Sequence, residues 1–235
     1  MAERFYVSSP PTPGPYTLTG PEAHHLAVVC RVRPGATVVL FCGDGAEWTA
    51  QVSTVGKRQV ELHVQEPVFP DREQPQPLII AAPLPKGDRA TFLVEKLTEL
   101  GVTRFIPLLT ARSVVQPGAG KTEKLRRTVI EASKQCGRNK LMQVDEPLSL
   151  ASLLADPHLP ERRLFADPGG VAWGEVVVSG PMVGTVAWVG PEGGLTADEV
   201  AEAERRGWQR VRLGPSVLRV ETAALALAAR VRTEW

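Results

Sequence analysis

A run of prolines divides this chain into two stretches of different texture. Glu66 to Pro77 carries Pro67, Pro70, Pro75 and Pro77 among charged and amide residues. Such a composition keeps the backbone extended and interrupts helix and central strand alike. Before it, short β-rich runs alternate with turns; after it, strands alternate with helices. The reading is therefore two domains, residues 1–70 and 71–235.

In the first domain Phe5-Tyr6-Val7, Thr37 to Phe41, Trp48 to Val55 and Val60 to Val64 read as strands. In the last of these Val60, Leu62 and Val64 alternate with Glu61 and His63, the period of a half-buried strand. Gly43-Asp44-Gly45 suits a hairpin turn, and the spacing predicts one helix over Pro21 to Cys30, with Pro21 in its first turn. A small β-barrel with one short helix is the expected architecture. His24-His25 does not read as a metal site, because adjacent helical positions diverge by about 100°. The pair is either a plain surface turn or, with Arg4, Arg31 and Arg33, a basic face for phosphates or bases.

In the second domain Leu78-Ile79-Ile80-Ala81-Ala82 is continuously apolar, as in a strand covered on both faces. A helix is predicted from Asp88 to Leu100, stopped by Gly101, and a strand over Phe105 to Leu109, an order that argues for a parallel sheet. Lys121 to Lys140 holds seven basic residues against two acidic ones, with Leu125, Val129, Ala132 and Cys136 forming an apolar stripe. The whole chain has 27 basic and 26 acidic side chains and a net charge of +1. This local cluster is thus the best candidate for a nucleic-acid backbone, the plain alternative being a solvated helix face. Leu150 to Pro160 reads as a short helix and loop, and Arg163 to Ala166 as a strand ending in the turn Asp167-Pro168-Gly169-Gly170.

Two more Gly/Pro turns follow strands. Val186 to Val189 runs into Gly190-Pro191-Glu192-Gly193-Gly194, after which Thr196 to Glu199 forms a capping box for a helix that stops at Gly207. The two adjacent glycines can take positive φ and let a ligand approach the backbone. Val211 to Leu213 then runs into Gly214-Pro215-Ser216-Val217-Leu218 and the helix that follows Thr222. In parallel sheets ligands collect beyond the carboxyl ends of strands, so three such turns predict a pocket. Arg219 and Glu221 either brace the last turn as an ion pair or face a reaction, Glu221 taking a proton or Arg219 stabilising negative charge.

The 43% hydrophobic content is enough for a real core. Cys30, Cys42 and Cys136 are widely separated, which fits buried thiols in a reducing compartment better than a disulfide framework or a metal site. No apolar run reaches the roughly 18 residues of a membrane span, and the first residues carry no secretory apolar region. A cytoplasmic protein without membrane or metal partners is the expectation.

Gly190 to Gly194 followed by Leu213-Gly214-Pro215-Ser216-Val217-Leu218-Arg219-Val220-Glu221-Thr222-Ala223 closely resembles the signature of the RsmE family of ribosomal RNA methyltransferases, in the SPOUT superfamily. Lys96 to Val102, Arg112-Ser113-Val114, Glu131 to Arg138, Arg4 to Val7 and His24-His25-Leu26 are similar to its other motifs, so the likeness spans nearly the whole chain. Val217 and Val220 stand where the family pattern has Ile and Thr.

The resemblance implies an α/β fold: a SPOUT-type α/β domain with a C-terminal trefoil knot over about residues 164–235, preceded by a small PUA-like β-barrel, working as a homodimer. It implies transfer of a methyl group from S-adenosylmethionine (SAM) to N3 of a uridine in 16S ribosomal RNA, free or within the 30S subunit. The alternatives are another base or a transfer RNA, or a non-catalytic RNA-binding protein. By motif match the cofactor contacts are Leu164, Ala166, Asp167, Val189, Gly190, Pro191, Glu192, Gly193, Gly194, Leu213, Gly214, Ser216, Val217 and Leu218. The catalytic candidates are Arg219 and Glu221; the RNA-binding candidates are Arg4, His24, His25, Arg31, Arg126, Arg127 and Arg138.

Overall fold

The computed structural model describes residues 2–56, 58–113, 120–176 and 184–233. They form two compact units, one of residues 1–73 and 130–141, the other of 74–129 and 142–235. A single cut near residue 70 does not describe this division, because 130–141 belongs with the first unit.

The first unit contains strands β1 (Arg4–Tyr6), β2 (Gly14–Thr19), β3 (Thr37–Phe41), β4 (Glu47–Val55) and β5 (Gln59–Val68). They form one sheet in the order β1-β3-β4-β5-β2, parallel between β1 and β3 and antiparallel elsewhere. The alternation in β5 holds: Val60, Leu62 and Val64 are buried in a core with Phe5, Leu40, Trp48 and Val52. β2 is missing from the sequence reading because its surroundings are rich in Pro and Gly. It is an edge strand, where the lost N–H of Pro15 is tolerated. The predicted helix begins as α1 (Gly20–His24) but continues as a π-helical turn, His25–Val29, and the next residue but one, Arg31, has φ 51°.

The second unit contains β6 (Leu78–Ala82), α2 (Arg89–Glu99), β7 (Arg104–Leu109) and α3 (Lys121–Cys136), whose last turns belong to the first unit. There follow β8 (Gln143–Val144), β9 (Leu148–Ser149), α4 (Leu150–Ala155), β10 (Arg162–Ala172), β11 (Thr185–Val189), α5 (Ala197–Arg205), β12 (Gln209–Arg212) and α6 (Val220–Arg232). The strands pair in parallel in the order β12-β10-β11-β6-β7-β8, with β9 also on β7. β6 and β11 are buried along their whole length, which is why they read as unbroken apolar runs.

Three aromatic side chains lock together the strands that matter most. Phe165 of β10 stacks on Trp188 of β11 with centroids 4.9 Å apart, and Trp208, just before β12, meets Trp188 edge-on at 6.2 Å. Phe165 and Trp188 lie within two residues of the Gly/Pro segments that follow them, at 167–170 and 190–194. On the opposite side α6 packs against β6, β11 and α2.

One turn is corrected. Residues 167–170 do not end their strand: β10 continues to Ala172, and Ala166 and Val171 both pair with Val211, so the intervening residues form a bulge. The Gly/Pro composition marks a break in the ladder, and the ladder resumes because β12 offers an edge beyond it.

Candidate active site

A cavity of about 140 Å³ opens at the bulge of β10 and beyond the ends of β11 and β12. Ala166, Asp167 and Pro168 supply one wall. Residues 189–192, 194 and 195 supply a second, and 212–214 with 216–218 a third; Val220 and Ala223 of α6 close it. Of the fourteen cofactor contacts expected from the motifs, twelve line this cavity. Leu164 and Gly193 do not. Leu164 is buried inside the sheet at 1% exposure.

Gly193 has another job. Its carbonyl accepts a hydrogen bond from Arg112 at 2.9 Å, and a Cβ placed on it would come 3.3 Å from the Cβ of Arg112. A side chain at 193 would press on Arg112, which would have to yield by a few tenths of an ångström, whereas Gly194, at φ 71°, supplies the left-handed turn. The same loop is braced a second time through Glu199. Its side chain completes the capping box with Thr196 and also accepts the Ala111 N–H at 2.8 Å. The loop after β7 thus holds the loop after β11. Val114, the third residue of the Arg112 motif, lies outside the described residues.

The two catalytic candidates part company. Arg219 is exposed at the N-cap of α6, between Leu218 and Val220, which both line the cavity. Glu221 is only 6% exposed and is not a lining residue. One helical step separates it from Val220, about 100° round the axis, and that turns it away. Its Oε1 pairs with Arg89 at 3.3 Å and its Oε2 is buried without a hydrogen-bond partner among the described residues. The bracing pair foreseen between Arg219 and Glu221 is therefore Arg89–Glu221. Arg89 opens α2, 132 residues away, and no local spacing could have named it.

The RNA candidates also divide. Arg4 is buried: it bonds Glu47 at 2.8 Å, reaches the Asn139 side chain, and lies 5.0 Å over the Phe41 ring. Burial pushes the Glu47 carboxyl up, but hydrogen bonds from Arg4, Asn139 and Arg72 outweigh it and hold the group below its ordinary value. Arg138 is equally enclosed, with a two-pronged bond to Glu73 at 2.8 and 2.9 Å. His25 is half-buried, with Phe5 edge-on at 6.0 Å and Lys134 Nζ 3.2 Å from Nδ1. His24, Arg31, Arg126 and Arg127 are exposed. The three cysteines are free and half-buried, not fully buried as expected.

Comparison with known proteins bears on both units. The RNA methyltransferase domain family matches residues 72–232, and the RNA methyltransferase PUA domain matches 18–65. Ribosomal RNA small subunit methyltransferase E of Bacillus subtilis is 34% identical over 221 residues, 89% of this chain and 86% of its own. The protein of that name from Synechocystis is 33% identical over 92% of this chain and 72% of its own. Among solved structures, ribosomal RNA small subunit methyltransferase E from Neisseria gonorrhoeae bound to S-adenosyl methionine matches with a TM-score of 0.89 at 30% identity, over 100% of this chain and 98% of that one. A Legionella pneumophila protein in complex with the bound cofactor SAM gives 0.90, also at 30% identity and over the same shares.

Fold and site together define an RNA methyltransferase, an α/β methyltransferase fold accompanied by a PUA-like domain. The chain belongs to the family of ribosomal RNA small subunit methyltransferase E.

Proposed function

We propose that this enzyme transfers the methyl group of SAM to N3 of a uridine in 16S ribosomal RNA. The cavity carries the reading: three wall segments that match one family's motifs converge on a single pocket at the ends of parallel strands. Its lining suits the cofactor. Val189, Leu195, Leu213 and Leu218 offer apolar surface for a purine. The carboxylates of Asp167 and Glu192 offer acceptors for the hydroxyl and ammonium donors of the cofactor. When bound, SAM supplies an electrophilic methyl group on a sulfonium.

The protein's own part is chiefly positioning, since the nucleophile must lie in line with that methyl group. Uridine N3 must also give up its imide proton. We place Arg219 at the reacting base, where its guanidinium stabilises the anion that forms. Glu221, the other candidate, fixes the start of α6 through Arg89 and so sets where Arg219 stands. The knot, expected over residues 164–235, the closed barrel of the first unit and the homodimer belong to the same proposal. So do the assembled 30S subunit as substrate, which the family resemblance supports, and a cytoplasmic location, which the three free cysteines support. No helix among the described residues is long and apolar enough to cross a membrane.

Purified protein would be incubated with labelled SAM and, in parallel, naked 16S ribosomal RNA, assembled small subunits and transfer RNA, and the modified base mapped. Label at N3 of one uridine of 16S RNA is expected. Label confined to transfer RNA, or on another atom, overturns the assignment.

A further inference from the structure

The first wall of the cavity is the bulge in β10, and its shape is held by one oxygen atom. Asp167 Oδ1 accepts the Gly169 N–H at 2.8 Å and the Arg210 Nε–H at 2.9 Å, and Arg210 Nη2 donates to the same oxygen. The two glycines make this possible. A Cβ on Gly169 would fall 2.7 Å from Arg210 Cζ, and one on Gly170 would fall 2.6 Å from the backbone nitrogen of Val211. Oδ2 takes part in none of these bonds, yet Asp167 lines the cavity with a side chain only 15% exposed.

We propose that Arg210 is a positioning residue. By engaging Oδ1 alone it presents Oδ2 of Asp167 as an acceptor to a hydrogen-bond donor of SAM, a ribose hydroxyl or the α-ammonium group. The inference rests on the reading of this cavity as the SAM site. An ionised carboxylate only accepts, and a bond to it is about twice as strong as one between neutral groups. The planar fork of Arg210 sets the orientation of that carboxylate; a lysine in its place keeps the charge and loses the geometry. Arg210 itself is absent from the lining, so it acts on the ligand only through Asp167.

The test is equilibrium binding to the full chain of SAM, S-adenosylhomocysteine and 5′-methylthioadenosine, the last retaining the ribose but lacking the amino-acid end. The variants are Asp167→Asn, Arg210→Gln, Arg210→Lys and the double Asp167→Asn/Arg210→Gln, each checked for folding by circular dichroism. Asp167→Asn is expected to weaken SAM binding about tenfold. Arg210→Gln and Arg210→Lys should weaken it less, and the double variant should bind no worse than Asp167→Asn alone. In turnover assays the KM for SAM should rise by a larger factor than kcat falls, with the KM for RNA unchanged. A loss that extends to methylthioadenosine identifies the ribose as donor; a loss confined to the other two ligands identifies the ammonium.

Binding of all three ligands by Asp167→Asn within about twofold of wild type overturns the proposal. So does an Arg210→Gln loss that persists in full on the Asp167→Asn background. Should Arg210→Gln not fold, Arg210→Lys and the nearly isosteric Asp167→Asn carry the same comparison. Failure of the wild-type chain to bind SAM sinks the cofactor reading and this proposal with it. Normal wild-type binding with unaffected variants sinks this proposal alone.

Discussion

Arg138 in the first unit and Arg127 in the second have the same formal charge and opposite circumstances. Arg138 is 7% exposed at its side chain and forked onto Glu73; Arg127 is 77% exposed and lies 3.5 Å from Glu123. Arg4 resembles the former, and Arg126, 47% exposed and paired at 3.3 Å with Glu146, the latter. The contrast shows that a basic residue is available to a phosphate only if its charge is not already committed. A buried pair has lost its hydration and cannot give up its partner cheaply. An exposed pair is held by little more than thermal energy and exchanges its carboxylate for another anion readily.

The contrast breaks most visibly at Arg138. Arg138→Ala leaves Glu73, 17% exposed, beside an emptied site, and should cost about 3 kcal/mol of stability in denaturant unfolding. A cost below about 0.5 kcal/mol would place Arg138 with the solvated cations after all. At the other extreme, Arg126→Glu with Arg127→Glu should cost only about 1 kcal/mol, chiefly through the hydrogen bonds that Arg126 donates to the Val144 carbonyl at 3.1 and 3.3 Å. It should lower RNA affinity about tenfold and reduce the slope of log affinity against log salt by about one to two. Unaltered RNA affinity would make this part of α3 a solvated face and nothing more.

Acid titration sharpens the same division. The Glu47 carboxyl lies below its ordinary value of 4.5 because Arg4, Asn139 and Arg72 bond its charged form more strongly than burial opposes it. A depressed carboxylate contributes stability that is complete above the unfolded-state value and is lost as pH falls through the folded one. The chain should therefore lose stability as pH drops below about 4.5, and Glu47→Gln should flatten that limb while lowering stability at neutral pH. An identical acid limb in the variant would show that the Arg4 cluster is not what fails in acid.

These outcomes bear on how far sequence alone could reach. Strands β3 and β6 and the capping box at Thr196 were legible residue by residue, because strand burial and helix capping leave local patterns. The pocket was legible as three Gly/Pro segments after strands. The bulge at 167–170 was not, since only the second pairing of Val211 distinguishes it from a turn. Nor were Arg89 and Arg210, nor the role of Arg112 within its motif, since their partners lie 132, 43 and 81 positions away. Arg4 and Arg138 were misplaced for a related reason: nothing in a local count of charges says whether Glu47 and Glu73 will be waiting for them.

The smallest effect is also the most discriminating. Glu123→Gln removes the carboxylate that sits one turn before Arg127, at i and i+4 on the exposed face of α3. Such a pair contributes about 0.3–0.5 kcal/mol in a helix, so thermal unfolding should barely move. If Arg127 meets RNA, that carboxylate competes with the phosphate and adds its own repulsion, and its removal should strengthen RNA binding by about twofold at low salt. The gain should vanish near 0.5 M salt, where the Debye length falls to about 4 Å. A gain that survives high salt would point to a direct polar contact by the new amide. No gain at any salt would mean that Arg127 and the phosphate backbone do not meet, leaving His24 and Arg31 of the first unit as the exposed candidates to test next.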